Sequence, residues 1–535
     1  MYLIDQHTKK IMEECKEYAR AAGLTFNDET LEYIVTNRDM ISLSPKNMIP
    51  TLYDYWVHDV EVLKEQGKYK LYPHNPYETV INARPAISFY NDNNPDWLNI
   101  MIFYHVLAHI DFFQNNILFE NTWNDDFVGL ALADKRLIEN LRSEKGRWVD
   151  YVIEFSRSID NITGYFRTLP KHLSKEKSTS LSKLHFYFDI FLQEILKVSP
   201  RLIFKEIERY NSIGHTNQEL AESVFFSEVK TKYPEFNAKF ENYVSEEPAP
   251  IDIMDFICKH SPFLKKQENR WMQSVMTIVR NTSMYFSPQI RTKIMNEGWA
   301  SYWHDELFRN DKRIKGHEVD YARVNAGVTS ISRVGLNPYA IGLRLIQHIE
   351  ELADKGKINV DFQKINEISQ RDKYNKKTKK GKETIFELRK NFSDFMLINT
   401  FVDQDFIDKN DLFVVGKRVN VEKGVYEYYI KSKKAEDYKN MLLDSLYHPP
   451  YIKVDLNKTT DKNLYLTHQF EGKQIYKPYI PDVLIGLEFL WGGSVQLETT
   501  EIISAEKETD NESEGYTFRK VLYTMKDRKI EKTNL

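Results

Sequence analysis

The stretch that decides the fold is Trp97-Leu-Asn-Ile-Met-Ile-Phe-Tyr-His105-Val-Leu-Ala-His109-Ile-Asp111-Phe-Phe-Gln-Asn115-Asn-Ile-Leu-Phe119, introduced by Pro95-Asp96. No Gly or Pro interrupts it, so it reads as one long helix. On that helix His105 and His109 are four apart. Both imidazoles then share one face, about 6 Å apart along the axis. This is the spacing by which helical histidine pairs chelate one metal ion, as in H-E-x-x-H. Val106 stands where that motif carries its glutamate base. A metal here needs a base from elsewhere. The alternative is two histidines packed in a helical core and hydrogen-bonded to their neighbours.

A second helix answers the first. Thr292-Lys-Ile-Met-Asn296-Glu297-Gly-Trp-Ala-Ser301-Tyr-Trp-His304-Asp-Glu306 places Glu297, Ser301 and His304 on one face. Gly298 and Ala300 are small and allow another element to come close. A carboxylate on a second helix is what a histidine pair needs as third ligand. Glu297 and His304 lie about 10 Å apart along the axis, so one ion does not suit both. Glu297 is therefore the expected ligand, with His304 behind it or facing a substrate. The competing reading is a buried polar network between helices. Three further polar positions are His317 in Gly316-His-Glu318, Asn337 as the N-cap before Pro338, and the pair His348 and Glu351, read as a simple surface pair.

Outward from these helices the pattern stays helical. The first 45 residues read as helices, with Thr8 to Ala22 the clearest. Prolines break residues 45–90 into loops and short strands. Arg147–Phe166, Leu181–Val198, Glu268–Tyr285 and Pro288–Arg309 carry helical patterning, and Ser245-Glu-Glu-Pro-Ala-Pro250 reads as a linker. After about residue 385 the texture changes. Phe395–Val402, Leu412–Val415, Tyr426–Ile430, Tyr451–Asp455 and Leu464–Thr467 read as strands, with helices at Ala435–Leu446 and Val483–Trp491. The expected fold is mainly α. It has a helical N-terminal body over residues 1–384, a smaller α+β domain over 385–500 and a flexible tail over 501–535.

Composition limits the function classes. The 535 residues carry a net charge of −4, so no global basic excess exists to neutralise phosphates. The basic stretch Arg371–Lys382 is the one nucleic-acid candidate, and its other reading is a solvated loop. Two cysteines, Cys15 and Cys258, exclude a disulfide scaffold and a multi-cysteine zinc module. No apolar h-region follows the N-terminus, and no run of about 18 apolar residues occurs. The expectation is a cytoplasmic protein without a membrane span and without a nucleic-acid partner. Phosphate-binding, dinucleotide, kinase and G-x-S-x-G motifs are missing, and Ser180–Lys183 lacks the companions of a serine-lysine site.

Taken together these segments resemble the SpoVR-like proteins, named for stage V sporulation protein R. The resemblance rests on Tyr77–Asn82, His105–Asn116, Tyr285-Phe-Ser-Pro288, Thr292–His304, Asn337-Pro-Tyr339 with Gly342, and Leu464–Thr499. It implies a bacterial cytoplasmic protein connected with spore cortex formation or stress responses. It also implies partners, a PrkA-type serine kinase and a von Willebrand-type-domain protein. The sequence departs from the family at Asn281 and Thr282, where acidic residues are expected, and Tyr53–Trp56 matches loosely. Glu297-Gly-Trp-Ala300 is in addition similar to the third-ligand helix of zincin-type hydrolases.

Two function classes follow. In the first, His105, His109 and Glu297 bind a divalent metal, zinc, that activates water against an amide such as a peptide or peptidoglycan precursor. Glu306, His304 or Asp111 then supplies the proton relay, with Asn115, Asn296, His317 and Asn337 as the surrounding polar cluster. In the second, the chain is a non-catalytic regulator or scaffold for the kinase and the von Willebrand-type partner.

Overall fold

A computed structural model describes residues 2–36, 78–164, 183–196, 221–245, 252–446, 449–504 and 516–535, apart from 28, 121, 123–126, 366 and 421–423, and scattered positions between 197 and 213. Residues 246–250 of the expected linker, the loose match at Tyr53–Trp56 and most of Ser180–Lys183 lie outside these residues.

The protein is mainly α. The elements that position the site are helices α1 (Gln6–Ala21), α2 (Asp96–Asn115), α3 (Trp148–Asp160), α4 (Arg270–Arg291), α5 (Lys293–Asn310), α6 (Glu318–Thr329), α7 (Pro338–Asp354), α8 (Gly381–Asn391), α9 (Asp394–Phe401) and α10 (Ile480–Trp491). Helix α2 is buried on every side from Leu98 to Phe113. Apolar residues are spread around its whole circumference, so no face prefers water and the helix becomes the axis of the core. Helix α5 lies beside it and is also buried nearly all round, with Trp299 and Trp303 fully enclosed. Helices α1, α7, α8 and α9 complete this first core, which takes apolar residues from Met12 to Leu442. A four-stranded sheet, order β1 (Tyr2–Leu3), β2 (Thr30–Val35), β4 (Ala86–Asn91), β3 (Glu78–Ile81), flanks it; β2 and β4 are parallel and the other pairs antiparallel. Residues 30–35 were expected to be helical. They alternate instead, turning Thr30 and Glu32 inward, and Lys9 and Lys16 neutralise the Glu32 carboxylate at 3.0 and 3.7 Å.

Helices α5 and α7 meet backbone to backbone. A Cβ on Gly298 would stand 2.3 Å from the Gly342 carbonyl carbon, and one on Gly342 would stand 2.0 Å from Ile294 O. Only two glycines permit this crossing, which is the close approach expected from Gly298.

The break between α4 and α5 falls at Thr292, later than the expected break before Pro288. Pro288 is absorbed inside α4. Asp394 explains the position: its Oδ2 and Oδ1 accept the N–H groups of Ile294 and Met295, each at 2.8 Å. A helix start needs acceptors for its free N–H groups, and this carboxylate supplies them from a hundred residues away.

A second core joins α3, α4 and α10 to a five-stranded sheet. Its strand order is β11 (Lys529–Asn534), β10 (Tyr516–Lys526), β9 (Ser494–Ser504), β8 (Asn463–His468), β7 (Ile452–Val454), and only β8 and β9 are parallel. A two-stranded ribbon, β5 (Val414–Asn420) with β6 (Val425–Ser432), touches the first core through Val414.

Three expectations are corrected here. Phe395–Val402 is helix α9, because Leu397, Ile398 and Phe401 face the core together while Phe395 and Met396 stay exposed. Of the stretch expected as a flexible tail, residues 501–504 end β9, and residues 516–534 form the hairpin β10–β11, whose Val521, Tyr523 and Met525 are core residues. The boundary at 384/385 falls inside α8, and the second core draws on residues 138–279 as well as 452–525.

Candidate functional site

Helices α2 and α5 bring three side chains to one point. The ligand atoms of His105, His109 and Glu297 all lie within 4.8 Å of one another. His109 Nε2 is 3.1 Å from His105 Nε2 and 3.6 Å from Glu297 Oε2. Burial holds the Glu297 carboxyl at about 7, only partly offset by a hydrogen bond from Tyr339. Its Oε2 is enclosed and has no hydrogen-bond partner.

The protonation of the histidines follows from a carboxylate further back. Asp305 Oδ1 only accepts, so it takes a hydrogen bond from Asn325 Nδ2 at 3.3 Å. That turns Asn325 Oδ1 toward His304, whose Nε2–H donates to it at 2.9 Å. His304 Nδ1 is then a lone pair and accepts from His105 Nδ1–H, also at 2.9 Å. His105 is left with a lone pair on Nε2. On the neighbouring turn His109 Nδ1–H donates to Asn296 Oδ1 at 2.9 Å, which leaves a second lone pair on its Nε2. Burial keeps His105 and His304 well toward the neutral form, and for His105 the adjacent His109 and His304 add to the effect. Two nitrogen lone pairs and an unpartnered carboxylate oxygen therefore converge. Each histidine donates its other N–H to a fixed acceptor, the arrangement that orients metal-ligating imidazoles. The donor set, two imidazoles and one carboxylate, is one that zinc accepts.

The remaining candidates divide. His304 and Asn296 belong to the cluster as the acceptors just described. Asn337 supports it indirectly: its Oδ1 accepts from Tyr339 N and Ala340 N and its Nδ2 donates to Val328 O and Ser330 O. This caps α7 and fixes Tyr339, whose ring stacks on His105 with centroids 6.1 Å apart. Asp111, Asn115, Glu306 and His317 are not brought to the cluster. Asp111 is fully buried on another side of α2, where it accepts from Thr25 N and Trp299 Nε1 at 2.8 and 2.9 Å and faces Arg389 at 3.6 Å. Burial pushes its carboxyl up to about 6. Asn115 clamps Thr25 through its backbone oxygen and hydroxyl. Glu306 lies about two and a half turns after Glu297, hence on the opposite side of α5, and pairs with Lys382 at 3.4 Å. His317 stacks on Trp97 at the protein surface. His348, read as part of a surface pair, is buried and meets Asp403 at 3.2 Å, while Glu351 pairs with Lys355 and Lys409.

Sequence reasoning missed Asp305, Asn325 and Tyr339 as members of the site. Tyr339 follows the N-cap and could have been placed by it. Asn325 lies on α6 with no neighbouring signal.

The fold and site define a helical protein with a buried histidine-histidine-glutamate cluster between two central helices. The family model described as SpoVR like protein matches residues 5–448. The chain belongs to the SpoVR family. A relative is the Uncharacterized protein YcgB of Escherichia coli (strain K12), 24% identical over 339 residues, 60% of this chain. The chain spans 59% of that relative's length. No solved structure matches. No helix among the described residues is long and apolar enough to cross a membrane.

Proposed function

We propose that this SpoVR-family protein is a metal-dependent amide hydrolase acting on a peptide or peptidoglycan precursor, with one zinc ion held by His105, His109 and Glu297. The observation that carries the reading is the convergence of two Nε2 lone pairs, 3.1 Å apart, beside an enclosed carboxylate oxygen without a hydrogen bond. Unoccupied by a cation, such a cluster is repulsive, and a buried unpaired carboxylate oxygen costs about 1–3 kcal/mol. Bound there, a divalent ion supplies Lewis acidity toward water and an amide carbonyl. The chain's own residues do the rest. Asp305, Asn325 and His304 hold the proton on His105 Nδ1, Asn296 holds that on His109 Nδ1, and Tyr339 orients the carboxyl. His304 stands behind His105, so its part is to fix a tautomer and not to reach the substrate. Asp111 and Glu306, tied to other partners, have no part in the relay.

The test is the metal content of purified untagged protein by elemental mass spectrometry, beside His105→Ala/His109→Ala. About one zinc per chain, lost in the variant, together with cleavage of an amide substrate by the wild type alone, is the expected result. No metal in the wild type after reconstitution would overturn it.

A second reading is favoured by Val106, which stands at the position of the glutamate base, and by the engagement of Asp111 and Glu306 elsewhere. On this reading the protein is a cytoplasmic regulator or scaffold for a PrkA-type kinase and a von Willebrand-type-domain protein, connected with spore cortex formation or stress responses, and the cluster stabilises the helix pair. It expects the double variant to lose melting temperature and partner capture together.

A further inference from the structure

A cleft of about 610 Å³ opens between α5, α6 and α7, lined among others by Ile314, Ala322, Asn325, Ala326 and Arg344. Its volume is that of a small-molecule site. Arg344 is the unusual member. Nη1 donates to Thr329 O at 2.8 Å and Ala340 O at 3.0 Å, which anchors the guanidinium at the cleft wall. No carboxylate among the described residues pairs with it, and burial pulls its pKa down without a compensating charge. The other two nitrogens, Nε and Nη2, have no partner among the described residues. They form the fork that takes a carboxylate or phosphate with two parallel hydrogen bonds. The other charged groups of the cleft are already engaged: Arg309 Nε donates to Asp305 at 2.8 Å, and Glu318 accepts from Gly316 N at 3.0 Å. Ile314, Ala322 and Ala326 give the cleft its apolar lining.

We propose that this cleft binds a small organic oxyanion, its charged group on the Nε–Nη2 edge of Arg344 and a short apolar body against Ile314, Ala322 and Ala326. The inference is independent of the metal reading. Asn325, which lines the cleft, is also the acceptor for His304, so an occupant touches the residue that sets the histidine tautomers.

The test is calorimetric titration of the full-length protein with butyrate, with inorganic phosphate and with chloride as ionic control. Saturable binding of butyrate or phosphate beyond chloride is expected, and the anion that saturates identifies the charged group as carboxylate or phosphoryl. Charged hydrogen bonds contribute about 1.5–3 kcal/mol, so Arg344→Gln is expected to weaken binding about tenfold or more. Ala326→Leu keeps the guanidinium and fills the cleft at an exposed helical position. It is expected to abolish binding with the melting temperature unchanged, which covers the case in which Arg344→Gln fails to fold. Removing the rim charge in Glu318→Gln is expected to tighten binding roughly twofold. No saturation beyond chloride, or binding retained in folded Ala326→Leu, would overturn the proposal.

Discussion

Substituting Gly342 by alanine tests the helix crossing on which the site depends. The added Cβ would stand 2.0 Å from Ile294 O and 2.7 Å from Gly298 Cα, whereas ordinary contact begins at 3.4 Å. Both neighbours are backbone, so neither can rotate away. Helix α7 must retreat from α5 by more than an ångström. Overpacking of this kind costs about 1–3 kcal/mol, and it is a lower limit where backbone is struck. The better helix propensity of alanine returns about 1 kcal/mol. Because backbone is struck the upper figure applies, so the net loss is about 2 kcal/mol, or a fall in Tm of roughly 2 °C for a chain of this size. Thermal unfolding followed by circular dichroism reads the stability. Zinc affinity reads the site, because α7 carries Tyr339 against His105 and Glu297. Gly298→Ala should behave alike, and the double variant should lose less than the two losses added, because both strike one contact. A Gly342→Ala protein with wild-type Tm would refute the backbone-to-backbone crossing.

Three other outcomes are expected. Asp394→Asn leaves one good acceptor where two N–H groups need one each, so it should lower stability by about 1 kcal/mol or more in denaturant unfolding; unchanged stability would mean that Ile294 and Met295 find other acceptors. Glu297 is held at about 7 in the folded protein, above its ordinary 4.5. Below pH 4.5 both states carry the proton; as pH rises from there to about 7 only the folded state keeps it, so this contribution to stability fades. A divalent ion competes with that same proton, so zinc affinity measured by competition should climb with pH to about 7 and level off, and a flat profile would exclude Glu297 as ligand. Ending the chain at Ser504 removes Val521, Tyr523 and Met525 from the second core, a loss of roughly 5 kcal/mol or more, so limited proteolysis should then cut readily within residues 452–504; resistance equal to wild type would show the hairpin to be dispensable.

The central helices were legible because their signal is local. A Pro-Asp start and an uninterrupted apolar run fix α2, and the spacing of His105 and His109 on it survives any tertiary context. Glu297 was legible as partner because a histidine pair calls for a carboxylate on a second helix, while Gly298 beside it announces the close approach of α7. What could not be read was set from afar. Thr292 ends one helix and starts another because Asp394 reaches it. The tautomers of His105 and His304 are fixed by Asp305 through Asn325, a residue on a separate helix. Phe395–Val402 looked like a strand because a short apolar run fits either period, and only the core decides which residues turn inward. Asp111, two residues from His109, invited a catalytic role by proximity in sequence; the rotation of 200° that two helical residues make sends it to the far side, against Trp299.

The composition of the second core bears on synthesis. Its first helices are complete once Val279 has been made, but α10 and the strands that cover them reach as far as Met525. Roughly 250 residues separate the two. At about 5–20 residues per second the ribosome needs some 10–50 s to bridge them. For that interval Val275, Met276 and Val279 have no sheet to lie against. The nascent chain must be sheltered or held in provisional contacts throughout, and a pause in translation within residues 280–450 would lengthen the exposure directly.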